Sequence, residues 1–253
     1  MPTITSYRAG SFCWNELATG DAAAATKFYS TLFGWTTSAI PLGDGTDYVM
    51  LQHDGKDAAA LYETKQSPPH WLSYVSVAVV DDAVAKAKEL GGTLFAGPMD
   101  VTDAGRMAVL ADPQGAVFAV WQAGKHRGAE IAREPFTVCW NELGTTDEEA
   151  AGAFYSALFG WRMDQQNFGG EPYTLLHNGD EQAGGLYNLG DYGADMPPNW
   201  MTYFAVTDTD ATCEQARALG GQVFVEPKDI PTIGRMAILA DSTGAMFAIL
   251  QPA

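Results

Sequence analysis

The chain spells much of itself twice. FCWNEL at Phe12–Leu17 returns as VCWNEL at Val138–Leu143, and KFYSTLFGW at Lys27–Trp35 returns as AFYSALFGW at Ala153–Trp161. PPHWLSYVSV (Pro68–Val77) returns as PPNWMTYFAV (Pro197–Val206). DVTDAGRMAVLADPQGAVFAVWQ (Asp100–Gln122) returns as DIPTIGRMAILADSTGAMFAILQ (Asp229–Gln251). The offset grows from 126 residues (Phe12 to Val138) to 129 (Asp100 to Asp229), a drift that short loop insertions explain. A repeat of this length means that both halves must form the same structure. We read a tandem duplication with a first domain over residues 1–124, a charged linker over 125–135 and a second domain over 136–253.

Within each half the pattern predicts two β-α-β-β-β modules. Phe12–Ala18 reads as a strand. Asp21 is placed to cap a helix over Ala22–Phe33, in which Ala25, Phe28, Tyr29 and Leu32 recur at helical spacing, and Gly34 is placed to end it. Tyr48–Gln52 and Ala58–Tyr62 read as strands around the turn HDGK. The second module opens on Trp71–Val79. Asp81 or Asp82 then caps a helix reaching Leu90, and strands follow near Thr93–Phe95, Met107–Leu110 and Val117–Gln122. DPQG at Asp112–Gly115 reads as a turn. The Gly-Gly pairs starting at 91, 169, 184 and 220 fall in turns or strand starts, away from any phosphate-binding strand–helix junction. The fold class is therefore α+β.

Charge narrows the partners. With 31 acidic and 14 basic residues, the formal net charge is −17. That balance argues against nucleic acid and against anionic membrane surfaces, both of which need clustered Lys and Arg. The three cysteines, Cys13, Cys139 and Cys213, are too sparse for a disulfide framework, and Cys13 and Cys139 are repeat mates. The opening MPTITSYRAG lacks a basic region followed by an apolar stretch, and no apolar run approaches the ~18 residues of a membrane span. These features predict a cytoplasmic monomer or homodimer that binds a small molecule, without a signal peptide.

The first strand, the KFYSTLFGW helix end and the closing DPQGAVFAVWQ together resemble the vicinal oxygen chelate superfamily, which includes glyoxalases, extradiol dioxygenases and bleomycin-resistance proteins. The likeness covers nearly the whole chain in duplicate, and the tandem arrangement resembles two-domain actinobacterial members labelled glyoxalase-like or hydroxylase. It implies that paired modules curl a mixed sheet into a cup with helices outside. It also implies a divalent ion in that cup, held by a His on the first strand, a His or Gln on the strand opening the second module and a Glu on a closing strand. Carried over, those positions fall at Trp14, near Leu72 and at Ala119, and in the second half at Trp140, near Met201 and at Ala248. An indole nitrogen only donates and a methyl has no lone pair. No metal ligand and no cofactor are therefore predicted.

Strand alternation places Trp14 and Glu16 on one face, and likewise Trp140 and Glu142. If the family's orientation holds, both pairs look into the cups. An aromatic floor beside a carboxylate suits a flat organic ligand, and burial there would raise the acid toward the range of a general base. Glu16 and Glu142 are thus the candidate catalytic residues. Trp14, Trp140, Tyr48, Tyr173, Arg106, Arg235 and His70 are the candidate ligand contacts. Each has a structural alternative: a satisfied buried acid, an ion-paired arginine, a core aromatic or a turn histidine. Three functions follow. The first is a metal-independent acid–base enzyme of small-molecule metabolism performing isomerisation, elimination or hydration. The second is a non-catalytic protein sequestering a drug or metabolite. The third is a metal-dependent glyoxalase or dioxygenase-like enzyme.

Overall fold

The structure is a computed structural model describing residues 3–43, 45–168, 171–192 and 196–253. The Gly169–Gly170 pair lies outside the described residues. The first half runs β1 (Phe12–Thr19), α1 (Ala22–Phe33), β2 (Thr36–Pro41), β3 (Asp47–His53), β4 (Lys56–Glu63), β5 (His70–Ser76), α2 (Val80–Glu89), β6 (Thr93–Val101), β7 (Gly105–Ala111) and β8 (Val117–Ala123). The second half repeats it as β9 (Val138–Thr145), α3 (Glu148–Phe159), β10 (Arg162–Phe168), β11 (Glu171–Asn178), β12 (Glu181–Asn188), β13 (Asn199–Ala205), α4 (Thr209–Ala218), β14 (Gln222–Ile230), β15 (Gly234–Ala240) and β16 (Met246–Pro252).

Each half forms one eight-stranded mixed sheet, ordered β2-β3-β4-β1-β5-β8-β7-β6 and β10-β11-β12-β9-β13-β16-β15-β14. The two modules that pair are therefore those of the same half, joined by the antiparallel ladders β1–β5 and β9–β13. Asp21 Oδ1 caps α1 by accepting from Ala24 N at 2.9 Å, and Gly34 ends the helix at φ 71°. α2 differs from expectation. Its N-cap is Val79, without a side-chain bond, and Asp81 and Asp82 sit in the first turn, where the exposed N–H dipoles favour negative charge. Strand β2 escaped the sequence reading because all six of its residues are exposed, which erases the alternation that marks a half-buried strand.

The outer faces of the two sheets are not independent. Ala25, Phe28, Tyr29 and Phe33 of α1 pack with Leu17 and Trp71 of their own half. The same cluster holds Phe204, Cys213, Leu239, Phe247 and Ile249 of the other half. Reciprocally, Phe154, Tyr155 and Trp161 share a core with Val80, Leu110, Phe118 and Val120. The helix of each half's first module, α1 or α3, is thus the lid on the other half's second module. Polar bonds fix the register of this exchange. Trp200 Nε1 donates to Tyr155 Oη at 2.9 Å, and Tyr155 donates to Asp112 Oδ2 of the opposite half at 3.1 Å. Tyr155→Phe would leave Asp112 Oδ2 and Trp200 Nε1 without their partner inside the protein, at roughly 1–3 kcal/mol. We expect a shift of that size in the urea midpoint with an unchanged slope; an unshifted midpoint would show that this bond does not hold the halves.

Candidate functional site

The face of each sheet turned away from the helices carries the candidate residues. On the first, Trp14 and Glu16 of β1, Met50 of β3, Ala60 of β4, Leu72 and Tyr74 of β5 and Ala119 and Trp121 of β8 form one cluster or its wall. Glu16 is a buried carboxylic acid in that apolar setting and is met by two phenols. Tyr74 Oη donates to Oε1 at 2.5 Å and Tyr48 Oη to Oε2 at 2.8 Å, while Trp14 Nε1 donates to Tyr48 Oη at 2.9 Å. The second half reproduces the relay: Tyr203 to Glu142 Oε2 at 2.5 Å, Tyr173 to Oε1 at 2.7 Å and Trp140 Nε1 to Tyr173 at 2.9 Å. The sequence reading had identified every member except Tyr74 and Tyr203. Both recur in the repeat, on the same strand face as Leu72 and Met201, which was the available signal.

Burial pushes Glu16 and Glu142 above the usual carboxylate range, against the opposing pull of the phenol donors; at Glu142 the Lys228 ammonium adds a further downward pull. Burial, and then the neighbouring glutamate, drives Tyr62 and Tyr187 up to about 12, so these phenols stay protonated. Gly185 lies beside Glu142 in the ladder, and a Cβ there would stand 2.0 Å from Tyr173 Oη. Tyr173 therefore occupies the space a side chain at position 185 would take, whereas Ala60 holds the matching place beside Glu16 and Tyr48 still reaches that acid.

The two cups differ at the mouth. Over the first, the segment expected to be a linker is part of the wall. His126 packs edge-on against Trp14 at 4.5 Å and near Trp121 at 5.8 Å, and its carbonyl accepts from Trp121 Nε1 at 3.0 Å. Ala129 N donates to Cys13 O at 2.8 Å, and a Cβ on the preceding Gly128 would stand 2.4 Å from that carbonyl. Trp14 is left 4% exposed and Glu16 8% exposed. In the second cup Leu250 replaces Trp121, and Trp140 and Glu142 keep part of their surface. Lys228 stands where the first half has Met99, each paired across its hairpin with the repeat-equivalent Met236 or Met107.

The remaining candidates lie outside these relays. Arg106 grips Asp81 through Nε at 2.7 Å and Nη2 at 3.0 Å and reaches Asp100 at 2.9 Å; Arg235 repeats this with Asp210 and Asp229. Both guanidinium forks are thus spent on surface carboxylates. His70 is level with Ala18 at the edge of the first cup, and its Nδ1 donates to Pro68 O at 2.8 Å. Asn199, its repeat mate, makes the same bond to Pro197 O at 2.9 Å, so the imidazole does the work of a turn amide. Cys13, Cys139 and Cys213 are free thiols.

Two family models match the chain. Residues 14–121 match the Glyoxalase-like domain, and residues 142–249 match the Glyoxalase/Bleomycin resistance protein/Dioxygenase superfamily. The chain belongs to this superfamily. A protein of Mycobacterium bovis named "Putative glyoxylase CFP32" is 41% identical over 260 residues, spanning 100% of this chain and 99% of its own. Anthracycline biosynthesis protein DnrV of Streptomyces peucetius is 36% identical, spanning 98% and 95%. A Mn(II)-bound glyoxalase from Novosphingobium aromaticivorans shares the fold, with a TM-score of 0.66, 13% identity and coverage of 96% and 82%.

The superfamily's metal position can be tested against the side chains present. Trp14 pairs with Tyr74, and Tyr74 with Ala119, so these three stand abreast across β1, β5 and β8. The register puts Tyr74, rather than Leu72, between the other two, and Tyr203, rather than Met201, between Trp140 and Ala248. The indole N–H is already given to a tyrosine, the phenol to a glutamate, and alanine has nothing to offer. Among the described residues, no group of three or more His, Cys, Asp and Glu side chains could hold an ion. The donor set at this position does not fit a divalent metal.

Proposed function

We propose that the second cup binds a flat, aromatic organic metabolite and acts on it by metal-independent acid–base chemistry, with Glu142 as the proton acceptor. The observation that carries this reading is the difference between two otherwise similar relays: Glu16 is roofed by the His126 segment and buried, whereas Trp140 and Glu142 are only partly buried. Trp140 offers a stacking surface, and the phenol oxygens of Tyr173 and Tyr203, whose protons go to Glu142, can accept from a ligand hydroxyl. A carboxylate raised by burial suits proton transfer near neutral pH, in isomerisation, elimination or hydration. The relative named for anthracycline biosynthesis supports a polycyclic aromatic ketone as the ligand class. Glu16, sealed and fully bonded, is assigned a structural role.

A panel of hydroxyanthraquinones, screened by thermal shift and then for turnover, tests the proposal. Glu142→Gln should keep ligand binding and lower kcat about 100-fold or more, the usual contribution of a general base. Retained turnover removes Glu142 from the chemistry. Binding without turnover in the parent protein would select the sequestering role, which one observation favours: both oxygens of Glu142 already accept a phenol proton. Stoichiometric zinc, nickel, iron or manganese in the purified protein, lost together with activity on chelation, would overturn metal independence.

A further inference from the structure

The halves meet at a buried polar knot on the pseudo-twofold axis. Asn15 Nδ2 lies 2.9 Å from Ser73 Oγ, Asn141 Oδ1 and Thr202 Oγ1, and Ser73 Oγ donates to Asn141 Oδ1 at 2.7 Å. Each asparagine is 4% exposed. The knot uses the nitrogen of one amide and the oxygen of the other. Asn15 Oδ1 and Asn141 Nδ2 make no hydrogen bond among the described residues, yet neither is among the sealed, unpartnered polar atoms. They reach open space, because both asparagines line an interdomain cavity of about 370 Å3. The floor of that cavity thus offers one acceptor and one amide donor group without partners.

The walls add charge. Cys13 and Cys139 line the cavity with Tyr7, and Arg8 and Arg133 also border it. Arg133 takes a left-handed backbone, φ 62°, which is uncommon for a residue with a side chain. Its Nη2 donates to Gln182 O at 2.8 Å, leaving its other N–H groups for a ligand. Arg8 donates to Asn178 O at 3.3 Å. The repeat mate of Arg133 is Tyr7, so the axis brings a cation to one wall and a phenol to the other. Burial pushes the Cys13 thiol up, and the Cys139 thiol to about 12, so both stay neutral walls rather than nucleophiles.

We propose that this cavity, which Trp140 of the second cup also borders, is a second ligand site for a small hydroxycarboxylate. Its carboxylate would lie on the guanidiniums of Arg133 and Arg8, and its hydroxyl on Asn15 Oδ1 and Asn141 Nδ2. The planar fork of arginine matches a carboxylate. The free amide oxygen demands a ligand that donates, which sulfate, fully ionised at neutral pH, does not. The volume lies at the small end of metabolite pockets.

Titration calorimetry of the full chain with malate, tartrate and citrate tests this, with sulfate and glycerol as controls. We expect saturable one-to-one binding of at least one hydroxycarboxylate. Arg133→Ala and Arg8→Ala, both at exposed positions, should each weaken it about tenfold, the loss of one charge-assisted contact. Glu142→Gln should leave it unchanged, which separates this site from the cup. Three results would overturn the proposal: no saturable binding in the millimolar range, equal binding by the arginine variants, or sulfate binding as tightly as the hydroxy acid.

Discussion

Residues 1–124 and 136–253, expressed separately, will not melt cooperatively as monomers, although each contains a complete eight-stranded sheet. The reason is the exchange of helices. Without the second half, Ala25, Phe28, Tyr29 and Phe33 lose Phe204, Leu239, Phe247 and Ile249, and the first half's Leu110, Phe118 and Val120 lose Phe154, Tyr155 and Trp161. Each fully buried aromatic or aliphatic side chain exposed this way forfeits about 1.5–3 kcal/mol, and a domain's net stability is only about 5–15 kcal/mol. A handful of such losses therefore exceeds what one half can retain. Cutting at the linker also removes the Ala129–Cys13 bond and the His126 packing from Trp14. Near-ultraviolet circular dichroism, calorimetry and ultracentrifugation on each half provide the check. Flat melts, with ordered structure restored on co-expression, are expected. A monomeric half with a sharp transition would show that the shared cores are dispensable.

Duplication and fold were legible in the sequence, because they rest on local spelling and strand alternation, whereas the middle member of the metal position, read near Leu72 and Met201, falls in the ladders at Tyr74 and Tyr203. α1 was read to the residue, since Asp21, the spacing of Phe28, Tyr29 and Leu32, and Gly34 each act within one or two turns. What was illegible depends on contacts between distant segments. Tyr74 could not be placed beside Trp14 without the β1–β5 register, which shifts near Phe12. Sequence symmetry also hid the asymmetry of the cups, because the roof comes from His126 and Ala129, in a stretch whose charge and closing Pro135 read as a linker. The arginines of GRMA recur as faithfully as the glutamates, yet they hold surface aspartates; recurrence alone did not separate structure from site.

Glu16→Gln and Glu142→Gln should each make the protein more stable at neutral pH and flatten its stability–pH curve. Burial raises both carboxyls in the folded protein. Between the unfolded and folded titration ranges, the native state therefore holds a proton that the unfolded chain has released. Stability is then highest in acid and falls as pH rises through that window, by up to about 1.4 kcal/mol per pH unit for each group. A glutamine cannot ionise, so its slope vanishes, while its shape and most of its bonding survive. At position 16 the amide oxygen would accept from Tyr48, and the amide nitrogen would donate to Tyr74. The Tyr74 hydroxyl would then turn to the Met107 sulfur, 3.9 Å away. Urea unfolding at several pH values between 4 and 8 measures the effect; curves parallel to that of the parent protein would mean that neither acid is desolvated as described. The same pair of variants separates the cups. Both should gain stability, but turnover should fall only with Glu142→Gln, because the His126 segment roofs Glu16 and leaves no room for a ligand there.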